Sequence, residues 1–395
     1  MTSFFSSVLY VSLAILVVPV LVFLIQSLLA FVPTRLLPAL PQVRPRIAVL
    51  IPAHNEASGI AATIKSVAAQ LGTADRIVVV ADNCSDHTAR VARLSGANVI
   101  ERTSTTLLGK GYALDHGVRQ IALAPPEVLI IVDADCLVAD GAIPRIATLA
   151  AQHHRPVQAK YLMYSPQNSS AMKKVAEFAW VVKNQVRPTG LHRLGLPCQM
   201  TGSGMAFPWE MIRDAPLANG HIAEDMQLGI DLASKGYSPL YCTEALVSSY
   251  FPNNSEGTKI QRTRWEHGTI GILLGTAPRL LFKAIKERNW HMIGMALDLL
   301  VPPVALLCML LSAAMMTTLV FAIITGLLGP AIFAALLVLG LTTAVLAAWW
   351  RYGRAILPAY QFLNAIFYML EKIPLYLRYL FSRQVAWVRS KRDDE

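Results

Sequence analysis

The chain has 395 residues, of which 54% are hydrophobic and 15% are charged, and its formal net charge is +10 at pH 7. Soluble domains average about 25% charged residues, so this composition excludes an ordinary soluble globular protein. The basic residues cluster beside long apolar segments, which argues against nucleic acid as a partner.

Long uncharged stretches near both ends predict membrane-spanning helices. Residues 4–32 contain no charged side chain, and residues 292–350 contain only Asp298. Since a bilayer needs about 20 apolar residues per helix, the first stretch predicts one span and the second a hairpin of two. A cleaved signal peptide is the alternative for the first stretch, but no basic residue precedes it. We predict a retained anchor over residues 1–34 and a transmembrane hairpin over residues 291–350.

The position of the basic residues orients these spans. Lys and Arg are enriched in cytoplasmic flanks. They follow the first span, precede the second and follow the third, at Arg35, Arg44, Arg46, Lys283, Lys286, Arg288, Arg351 and Arg354. The domain over residues 35–270 is therefore predicted to be cytoplasmic.

Two amphipathic stretches flank the hairpin. Residues 271–290 place Arg279, Lys283 and Lys286 on one helical face and apolar residues on the other, which predicts an interfacial helix. Within the tail over residues 351–395, the apolar stretch 355–370 is short and contains Pro358, Gln361 and Asn364, and a full span there would place the basic residues that follow on the outer side. We predict an interfacial or re-entrant tail whose cations face anionic lipid headgroups.

An ionisable group within a predicted span is a candidate for function by default. Asp298 is such a group. Pairing with an interfacial Lys or Arg is the alternative.

The cytoplasmic domain alternates apolar runs with helical segments. The predicted strands cover residues 47–51, 77–81, 99–100 and 128–132, and the predicted helices cover 59–71, 85–94 and 110–122. Val/Ile-rich strands separated by helices predict an α/β fold with a mostly parallel sheet. Ligands of such sheets bind beyond the carboxyl ends of the strands.

Acidic residues end two of these strands. Asp133 and Asp135 at one strand end could hold a hard divalent cation, with capping or a turn as the alternative. Asp82 ends another strand and could accept the N–H of a uracil or simply start the next turn. Asp86 is expected to act at the following helix start.

Two further loops are candidates for nucleotide binding. Lys110 lies in a Gly-Lys-Gly sequence before a helix, where backbone N–H groups and a cation favour a diphosphate. His54 and Glu56 follow the first strand and could grip a ribose or base. Ordinary turn polarity is the alternative for both.

Glu224 and Asp225 precede a helical pattern. Two acids there could simply favour the helix dipole, or one could be a general base that takes a proton from an attacking hydroxyl. Because neighbouring side chains diverge, we expect only one of them to point into the site.

The sequence Gln261-x-x-Arg264-Trp265 spans one helical turn. Arg264 could pair with a departing diphosphate, and Trp265 offers a flat apolar face to a sugar. An Arg stacked on a structural Trp is the alternative.

These motifs, in this order over about residues 45–270, resemble those of the membrane-bound inverting glycosyltransferases of family 2, the group of cellulose, hyaluronan and chitin synthases. The sequences at 82–88 and 109–114 are most similar to those of bacterial exopolysaccharide transferases. The resemblance implies a GT-A fold with a Rossmann-like mixed sheet, a UDP-sugar donor, Mg²⁺ or Mn²⁺, and a multi-pass protein of the bacterial inner membrane.

The resemblance also implies roles for individual residues. Asp82 corresponds to the uridine-binding acid and Asp225 to the base. Donor binding is expected of His54, Glu56, Asp82, Lys110, Asp133 and Arg264, metal binding of Asp133 and Asp135, and acceptor binding of Glu224, Gln261, Trp265 and Ser203.

Three positions depart from the family pattern. The frequent double Asp is Asp82-Asn83 here, and the Thr before the acidic pair is Ala223. The aromatic gating loop of cellulose synthases is not matched, since residues 199–204, which include Ser203, stand in its place.

We predict a glycosyltransferase that makes single or few additions to a lipid-linked saccharide, because three spans are few for a polysaccharide channel. Membrane lipids and other polysaccharide-assembly proteins are the expected partners. A processive synthase extending a growing saccharide is the alternative. An inactive sugar-nucleotide sensor or scaffold is disfavoured, because Asp133, Asp135, Asp225 and Arg264 are all present.

Overall fold

The described residues of the chain form two compact units. A computed structural model describes residues 2–33, 44–167, 169–218, 220, 222–252 and 255–381, except the side chains of 255–260. The helical unit lies within Met1–Pro33, Gln167–Leu196 and Glu266–Arg383, and the sheet unit within Thr34–Pro166 and Pro197–Trp265. The predicted domain over residues 35–270 therefore differs from the sheet unit, because residues 167–196 group with the helical unit.

The helices and strands are numbered in chain order. The strands are β1 (Ile47–Ala53), β2 (Arg76–Asp82), β3 (Asn98–Arg102), β4 (Val128–Ile131), β5 (Leu137–Val138), β6 (Val157–Tyr164), β7 (Met205–Pro208) and β8 (Leu240–Tyr250). The α-helices are α1 (Thr2–Leu29), α2 (Ile60–Ala68), α3 (Thr88–Leu94), α4 (Lys110–Ile121), α5 (Ala142–His153), α6 (Ala171–Val181), α7 (Arg187–Arg193), α8 (Trp209–Ile212), α9 (Glu224–Ser234), α10 (Ser255–Gly271), α11 (Ala277–Lys286), α12 (Trp290–Leu299), α13 (Val304–Thr325), α14 (Gly329–Ala348) and α15 (Leu363–Phe381). Shorter helical segments cover Val182–Val186, Ile272–Thr276, Trp349–Gly353 and Ala359–Phe362.

Half of the sheet is parallel, in the order β3-β2-β1-β4. In register, Val49 of β1 pairs with Ile77 of β2 on one side and with Ile130 of β4 on the other. Strands β1, β2 and β4 are buried on both faces, which explains their continuous runs of Val and Ile. The four predicted strands and the helices between them are confirmed to within a few residues.

The other half of the sheet is mixed, in the order β4-β7-β6-β8-β5. Strand β7 is antiparallel to β4 and β6, β6 is parallel to β8, and β5 is antiparallel to β8. The predicted α/β fold with a mixed sheet is therefore confirmed. Strands β5, β6 and β7 were not predicted, because β5 has two residues and the apolar run of β6 is interrupted by Gln158 and Lys160.

Helix α4 packs on the face of the sheet formed by Leu50, Val80 and Ile131. A Cβ added to Gly117 of α4 would lie 2.5 Å from the Leu50 Cδ1 atom, so this glycine permits the close approach. The packing fixes the start of α4, at Lys110, relative to the carboxyl ends of the parallel strands.

In the helical unit, a hairpin of α13 and α14 packs against α1. Gly326 ends α13 with a φ of 75°, a conformation that glycine adopts without strain. The Tyr10 and Phe333 rings lie 6.3 Å apart, and the Tyr352 hydroxyl donates to the Ala30 carbonyl oxygen at 2.7 Å. These contacts make α1 and α14 parallel, as one span followed by a hairpin requires.

Four helices in the described part of the chain are long and apolar enough to cross a membrane. They are Thr2–Leu29, Gln261–Lys286, Val304–Thr325 and Gly329–Gly353. The first corresponds to the predicted anchor, and the last two form the predicted hairpin. Its first helix begins at Val304 rather than near Met292, because Pro302 and Pro303 interrupt it. The remaining helix includes residues 271–286 of the stretch 271–290 that was predicted to be interfacial, so the candidates in the described chain number four instead of three.

Asp298 is paired, and it lies outside the candidate spans. It belongs to α12, which ends before the first helix of the hairpin. The Arg187 guanidinium donates to its carboxylate at 2.7 Å, and the Gln26 side-chain amide donates to the same oxygen at 2.8 Å. All three side chains are buried. The candidate spans of the described chain leave out the stretch around Asp298. Its basic partner comes from α7 rather than from the stretch 271–290.

The predicted tail over residues 351–395 is described only as far as Phe381. Its described part contains the segment Ala359–Phe362 and helix α15. The basic residues at 383, 389, 391 and 392 lie outside the described residues, as does Arg35 near the first span.

Candidate active site

The loops after β1 and β2 are held together at one edge of the sheet. The His54 Nδ1 atom lies 2.6 Å from the carbonyl oxygen of Asp82. Asn55 and Asn83 both have a φ of 53°, a left-handed conformation that Asn tolerates better than most residues. The Asn83 side-chain oxygen accepts the Ser104 N–H at 2.7 Å. The predicted donor-binding residues His54 and Asp82 are therefore neighbours.

Asp86 organises the start of α3. Its carboxylate accepts the N–H groups of Thr88 at 2.9 Å and of Ala57 at 3.0 Å. Burial raises the pKa of Asp86, but these hydrogen bonds outweigh it and lower the pKa. The Glu56 N–H donates to the Thr88 hydroxyl at 2.7 Å, and Glu56 is buried. Asp86 was expected at the N-cap or in the first turn of α3, but it lies one residue before the N-cap, His87. Glu56 lies in the same loop.

Asp82 forms an ion pair with Arg102. The side chains are 9% and 10% exposed, respectively, so solvent screens this pair little. Arg102 also donates to the Leu107 carbonyl oxygen at 2.8 Å. Asp82 is thus a fixed carboxylate at the end of β2.

Lys110 connects the loop before α4 to the end of β4. Its ammonium group forms an ion pair with Asp133 and donates to the Gly202 carbonyl oxygen at 2.8 Å. Burial lowers the pKa of Lys110, but the carboxylates of Asp133, Glu224 and Asp225 outweigh it and raise the pKa. Lys110 is therefore a cation enclosed by acids.

The Asp133 backbone is fixed by Ser203. The Asp133 N–H donates to the Ser203 hydroxyl at 3.0 Å, and Ser203 is fully buried. The Ser203 hydroxyl thus supports the backbone of Asp133, and acceptor binding by Ser203 stays a prediction. Burial raises the pKa of the Asp133 carboxyl, and Asp135 and Asp225 raise it further, while Lys110 opposes them.

Gly202 brings Asp225 to the same cluster. A Cβ added to Gly202 would lie 3.2 Å from the Asp225 Oδ2 atom, 3.4 Å from the Lys110 Nζ atom and 3.8 Å from the Asp133 Oδ2 atom. Its φ of 89° lies in the region that favours glycine. The absence of a side chain at Gly202 therefore leaves room for Asp133, which follows β4, and Asp225 of α9.

Glu224 also belongs to this cluster. Burial raises the pKa of Glu224 and Asp225 raises it further, while Lys110 and Arg264 oppose them. Both Glu224 and Asp225 thus raise the pKa of Lys110. That only one of them faces the site stays a prediction. Arg264 of α10 is likewise close enough to influence Glu224.

Asp135 lies beside Asp133 and Cys136. One ligand atom from each of the three lies within 4.8 Å of the others, an arrangement that could hold a metal ion. The Cys136 thiol donates to Asp135 over 3.6 Å, and burial raises its pKa well above the ordinary value. The two carboxylates are thus the natural ligands, and the thiol supports one of them.

The remaining predicted residues, Gln261 and Trp265, lie on α10 with Arg264 and are partly buried. Of these three, Arg264 is the one that the electrostatics of Glu224 tie to the acidic cluster. Acceptor binding by Gln261 and Trp265 stays a prediction.

Sequence reasoning missed Arg102, Gly202 and Cys136. Arg102 has no local signal, because its partner Asp82 lies 20 residues away. Gly202 could have been found, since two glycines flank Ser203 in the loop that departs from the family pattern. Cys136 directly follows Asp135.

Solved structures share the fold. Over 95% of this chain and 99% of the other, the mannosyltransferase PcManGT from Pyrobaculum calidifontis, in complex with GDP-Man and Mn²⁺, is similar with a TM-score of 0.59 and 18% identity. Glucosyl-3-phosphoglycerate synthase from Mycobacterium tuberculosis, in complex with Mn²⁺, UDP and phosphoglyceric acid, has a TM-score of 0.38 and 19% identity over 56% of this chain and 77% of that one. The first likeness supports the fold, and the second is too weak to support an inference.

The sequence comparisons identify the family. None of the curated proteins matches the chain. A family model described as glycosyltransferase like family 2 matches residues 45–268, which is more than half of the chain. That range contains the mixed sheet and every residue of the acidic cluster. The chain therefore belongs to glycosyltransferase family 2, and its sheet unit has the GT-A fold.

Proposed function

We propose that the chain is an inverting glycosyltransferase that moves a sugar from a UDP-sugar to a membrane-associated, lipid-linked saccharide in bacterial exopolysaccharide or cell-surface glycan synthesis. The observation that carries this proposal is the arrangement of Lys110, Asp133 and Asp225 around Gly202. It puts a strand-end acid, a cation and a candidate base within a few ångströms, where GT-A sheets bind their ligands.

The residues of the cluster suit a divalent cation. Asp133 and Asp135 offer hard carboxylate oxygens, the ligands that Mg²⁺ and Mn²⁺ prefer. Four carboxylates, including Glu224 and Asp225, face the two cations Lys110 and Arg264, so the site carries excess negative charge. The Mn²⁺ in the PcManGT complex supports this assignment. A bound metal would supply positive charge for the diphosphate of the donor.

In the proposed reaction, Asp225 takes the proton of an acceptor hydroxyl, which attacks the anomeric carbon of the donor. A single displacement inverts that carbon. Lys110 and Arg264 hold the diphosphate and stabilise the charge that develops on it as it leaves. His54, Glu56 and Asp82 form the nucleoside end of the site.

A donor screen tests the proposal. Purified protein would be given UDP-glucose, UDP-galactose, UDP-N-acetylglucosamine and GDP-mannose with Mn²⁺ or Mg²⁺, and release of the nucleoside diphosphate would be measured. We expect release from one of the UDP-sugars. Release from GDP-mannose alone would overturn the assignment of uracil as the nucleobase of the donor. Absence of metal-dependent release from every donor would contradict the proposal.

The acceptor and the number of additions need a separate experiment. Gln261-x-x-Arg264-Trp265 also occurs in polymer synthases, and the four candidate membrane helices exceed the three on which single addition was argued. We propose single or few additions at the cytoplasmic face of the inner membrane. With labelled donor and extracted membrane lipids, we expect one short product that partitions into organic solvent. A ladder reaching high mass would favour a processive synthase.

A further inference from the structure

Helix α15 has an exposed apolar face and a buried polar face. Its exposed apolar side chains recur every three or four residues, as one face of a helix requires. They include Leu363, Ile366, Phe367, Leu370, Leu377 and Leu380, each exposed by 50% or more. An apolar stripe of this length on a surface indicates a binding partner.

The opposite face of α15 binds the last turns of α10. Lys372 forms an ion pair with Glu266, and the Tyr376 hydroxyl donates to the other Glu266 oxygen at 3.1 Å. The His267 Nε2 atom lies 3.1 Å from the Leu375 carbonyl oxygen. The Lys372 and Glu266 side chains are 10% and 11% exposed, so these bonds form a nearly dry clamp.

The ammonium of the clamp has further support from α15 itself. The Lys372 Nζ atom lies 4.7 Å from the centre of the Tyr368 ring, a cation–π contact. The His267 and Tyr379 rings meet edge to face with centroids 5.2 Å apart. The polar face of α15 is thus committed to α10, and the apolar stripe is left for another partner.

A lipid surface fits the apolar stripe. The same helical unit contains three whole candidate spans and residues Glu266–Lys286 of the fourth, and α15 packs against α6 and α13. Within the described chain α15 is not itself a candidate span, and it carries Glu371, Lys372 and Arg378. The sequence beyond it adds basic residues at 383, 389, 391 and 392, which complement anionic headgroups.

We propose that α15 lies in the surface of the bilayer, with its apolar stripe in anionic lipid and its polar face clamping α10 at Glu266. Helix α10 contains Arg264 and Trp265 directly before Glu266. Lipid contact therefore holds the helix that carries these residues, and Glu266, Lys372 and Tyr376 are positioning residues. This consequence for transfer rests on the proposed function, whereas the lipid contact does not.

Lipid contact is tested by a fluorescent label on each face. Leu370→Cys and Leu377→Cys report the stripe, and Glu371→Cys and Arg378→Cys are controls off the stripe. The full-length protein would be labelled with NBD and placed in phosphatidylcholine–phosphatidylglycerol nanodiscs with or without brominated acyl chains. The labelled parent gives the background from its own cysteines.

We expect brominated lipid to quench the stripe labels at least about twofold more than the control labels, because bromine quenches only at contact within the acyl region. Equal quenching on both faces would overturn the proposal. Stripe labels that are shielded from water but not quenched by bromine would also overturn it, since they would indicate a protein partner.

The clamp is tested by hydrogen exchange over residues 261–271. Lys372→Met removes the ammonium, so we expect exchange there to become about tenfold faster, while Lys372→Arg restores slow exchange and the exposed Glu371→Gln changes nothing. Unchanged exchange in Lys372→Met would overturn the clamp. Neither experiment uses the sugar donor. Their failure would therefore not contradict the proposed transferase activity, and absence of transferase activity would not affect either measurement.

Discussion

Lys110 contacts Asp133 and the Gly202 carbonyl oxygen, which lie far apart in the chain. These contacts show which features of individual site residues can be predicted from the sequence. Asp133, Asp135 and Asp225 were predicted because strand ends and helix starts can be located from apolar patterns. The partners of these acids could not be predicted from local signals. Ser203 and Gly202 meet Asp133 and Lys110 only because β7 pairs with β4.

Replacing Lys110 by Met should weaken nucleotide binding. The variant loses the cation that lies between Asp133 and the Gly202 carbonyl oxygen. A hydrogen bond to a charged group contributes about 1.5–3 kcal/mol, so we expect the dissociation constant for UDP to rise at least about tenfold. Titration calorimetry in the presence of Mn²⁺ measures it. Lys65→Met, on an exposed face of α2, is the control, and a change below about twofold in Lys110→Met would contradict the role.

The raised pKa of Glu224 predicts a pH dependence of stability. Burial and Asp225 raise this pKa above its ordinary value of 4.5. Between the unfolded and folded pKa values the folded protein binds the extra proton, so this contribution to stability is full below the unfolded pKa and is lost as pH rises through the folded pKa. Replacing Glu224 by Gln removes the loss.

We therefore expect Glu224→Gln to gain thermal stability relative to the parent as pH rises from about 4 to about 8. Melting temperatures across that range measure the difference. The exposed Glu210→Gln should show no such trend. A Glu224→Gln curve parallel to that of the parent would show that this carboxyl is not perturbed.

At the scale of elements, the loop over residues 201–204 contributes most to the geometry of the site. Gly202 and Gly204 have φ values of 89° and 69°. A Cβ on Gly204 would lie 2.7 Å from Val247 and 2.9 Å from Ala159, so this loop fits closely against β6 and β8. Sequence reasoning treated the loop as a departure from a gating loop, whereas it supports Asp133.

Substitutions at Gly202 and Gly96 distinguish the effect of backbone strain from the effect of steric crowding by an added Cβ. Both have φ values near 90°, at 89° and 91°, but a Cβ on Gly96 meets nothing within 4 Å, whereas one on Gly202 meets Asp225 and Lys110. We expect Gly202→Ala and Gly96→Ala to lose similar stability, about 1 kcal/mol or more. Only Gly202→Ala should lose turnover, by about tenfold or more, since misplaced catalytic groups lower rates steeply.

Turnover with the active donor and melting temperature, measured on both variants, decide this comparison. Equal turnover in the two variants would show that the Gly202 backbone does not shape the site. A loss of turnover in Gly96→Ala of the same size would show that strain alone is responsible.

The strands of the sheet were predictable where apolar runs alternate with helical segments. The strands β1, β2 and β4 have continuous Val and Ile runs, so their order with the intervening helices followed from pattern. The antiparallel half depends on pairing between segments far apart in sequence. Gln158 is buried inside β6 and donates to the carbonyl oxygens of Ala159 and Ser203. A polar residue at this position makes the segment resemble a loop in a polarity pattern.

At the scale of the whole molecule, the chain passes repeatedly between its two units. Residues 167–196 interrupt the sheet unit and join the helical unit, where Arg187 pairs with Asp298. Hydropathy did not reveal this, because the insertion is neither apolar enough for a span nor distinct in composition. A buried ion pair between distant segments leaves no pattern in the sequence.

Arg187→Met should strongly destabilise the helical unit. The pair with Asp298 is buried, with side chains 7% and 5% exposed. Removing one partner of a buried pair costs about 3–5 kcal/mol, because a buried charge loses its counter-ion. We expect a large fall in the thermal midpoint in detergent, partly reversed by adding Asp298→Asn.

The exposed pair of Arg213 and Asp214 provides the control. These side chains are 54% and 76% exposed, and surface pairs contribute about 0–1 kcal/mol, so Arg213→Met should leave the midpoint nearly unchanged. A fall in Arg187→Met no larger than that in Arg213→Met would contradict a structural role for the buried pair.

The central claim is that the cluster around Asp133 and Asp225 transfers a sugar, and one comparison of turnover tests it most directly. Release of the nucleoside diphosphate from the active donor, with metal and acceptor present, would be measured for the parent, Asp225→Asn and the exposed control Asp214→Asn. We expect Asp225→Asn to fold and bind nucleotide but to lose about 100-fold or more in rate, while the control keeps its rate. Turnover close to that of the parent in Asp225→Asn would contradict it.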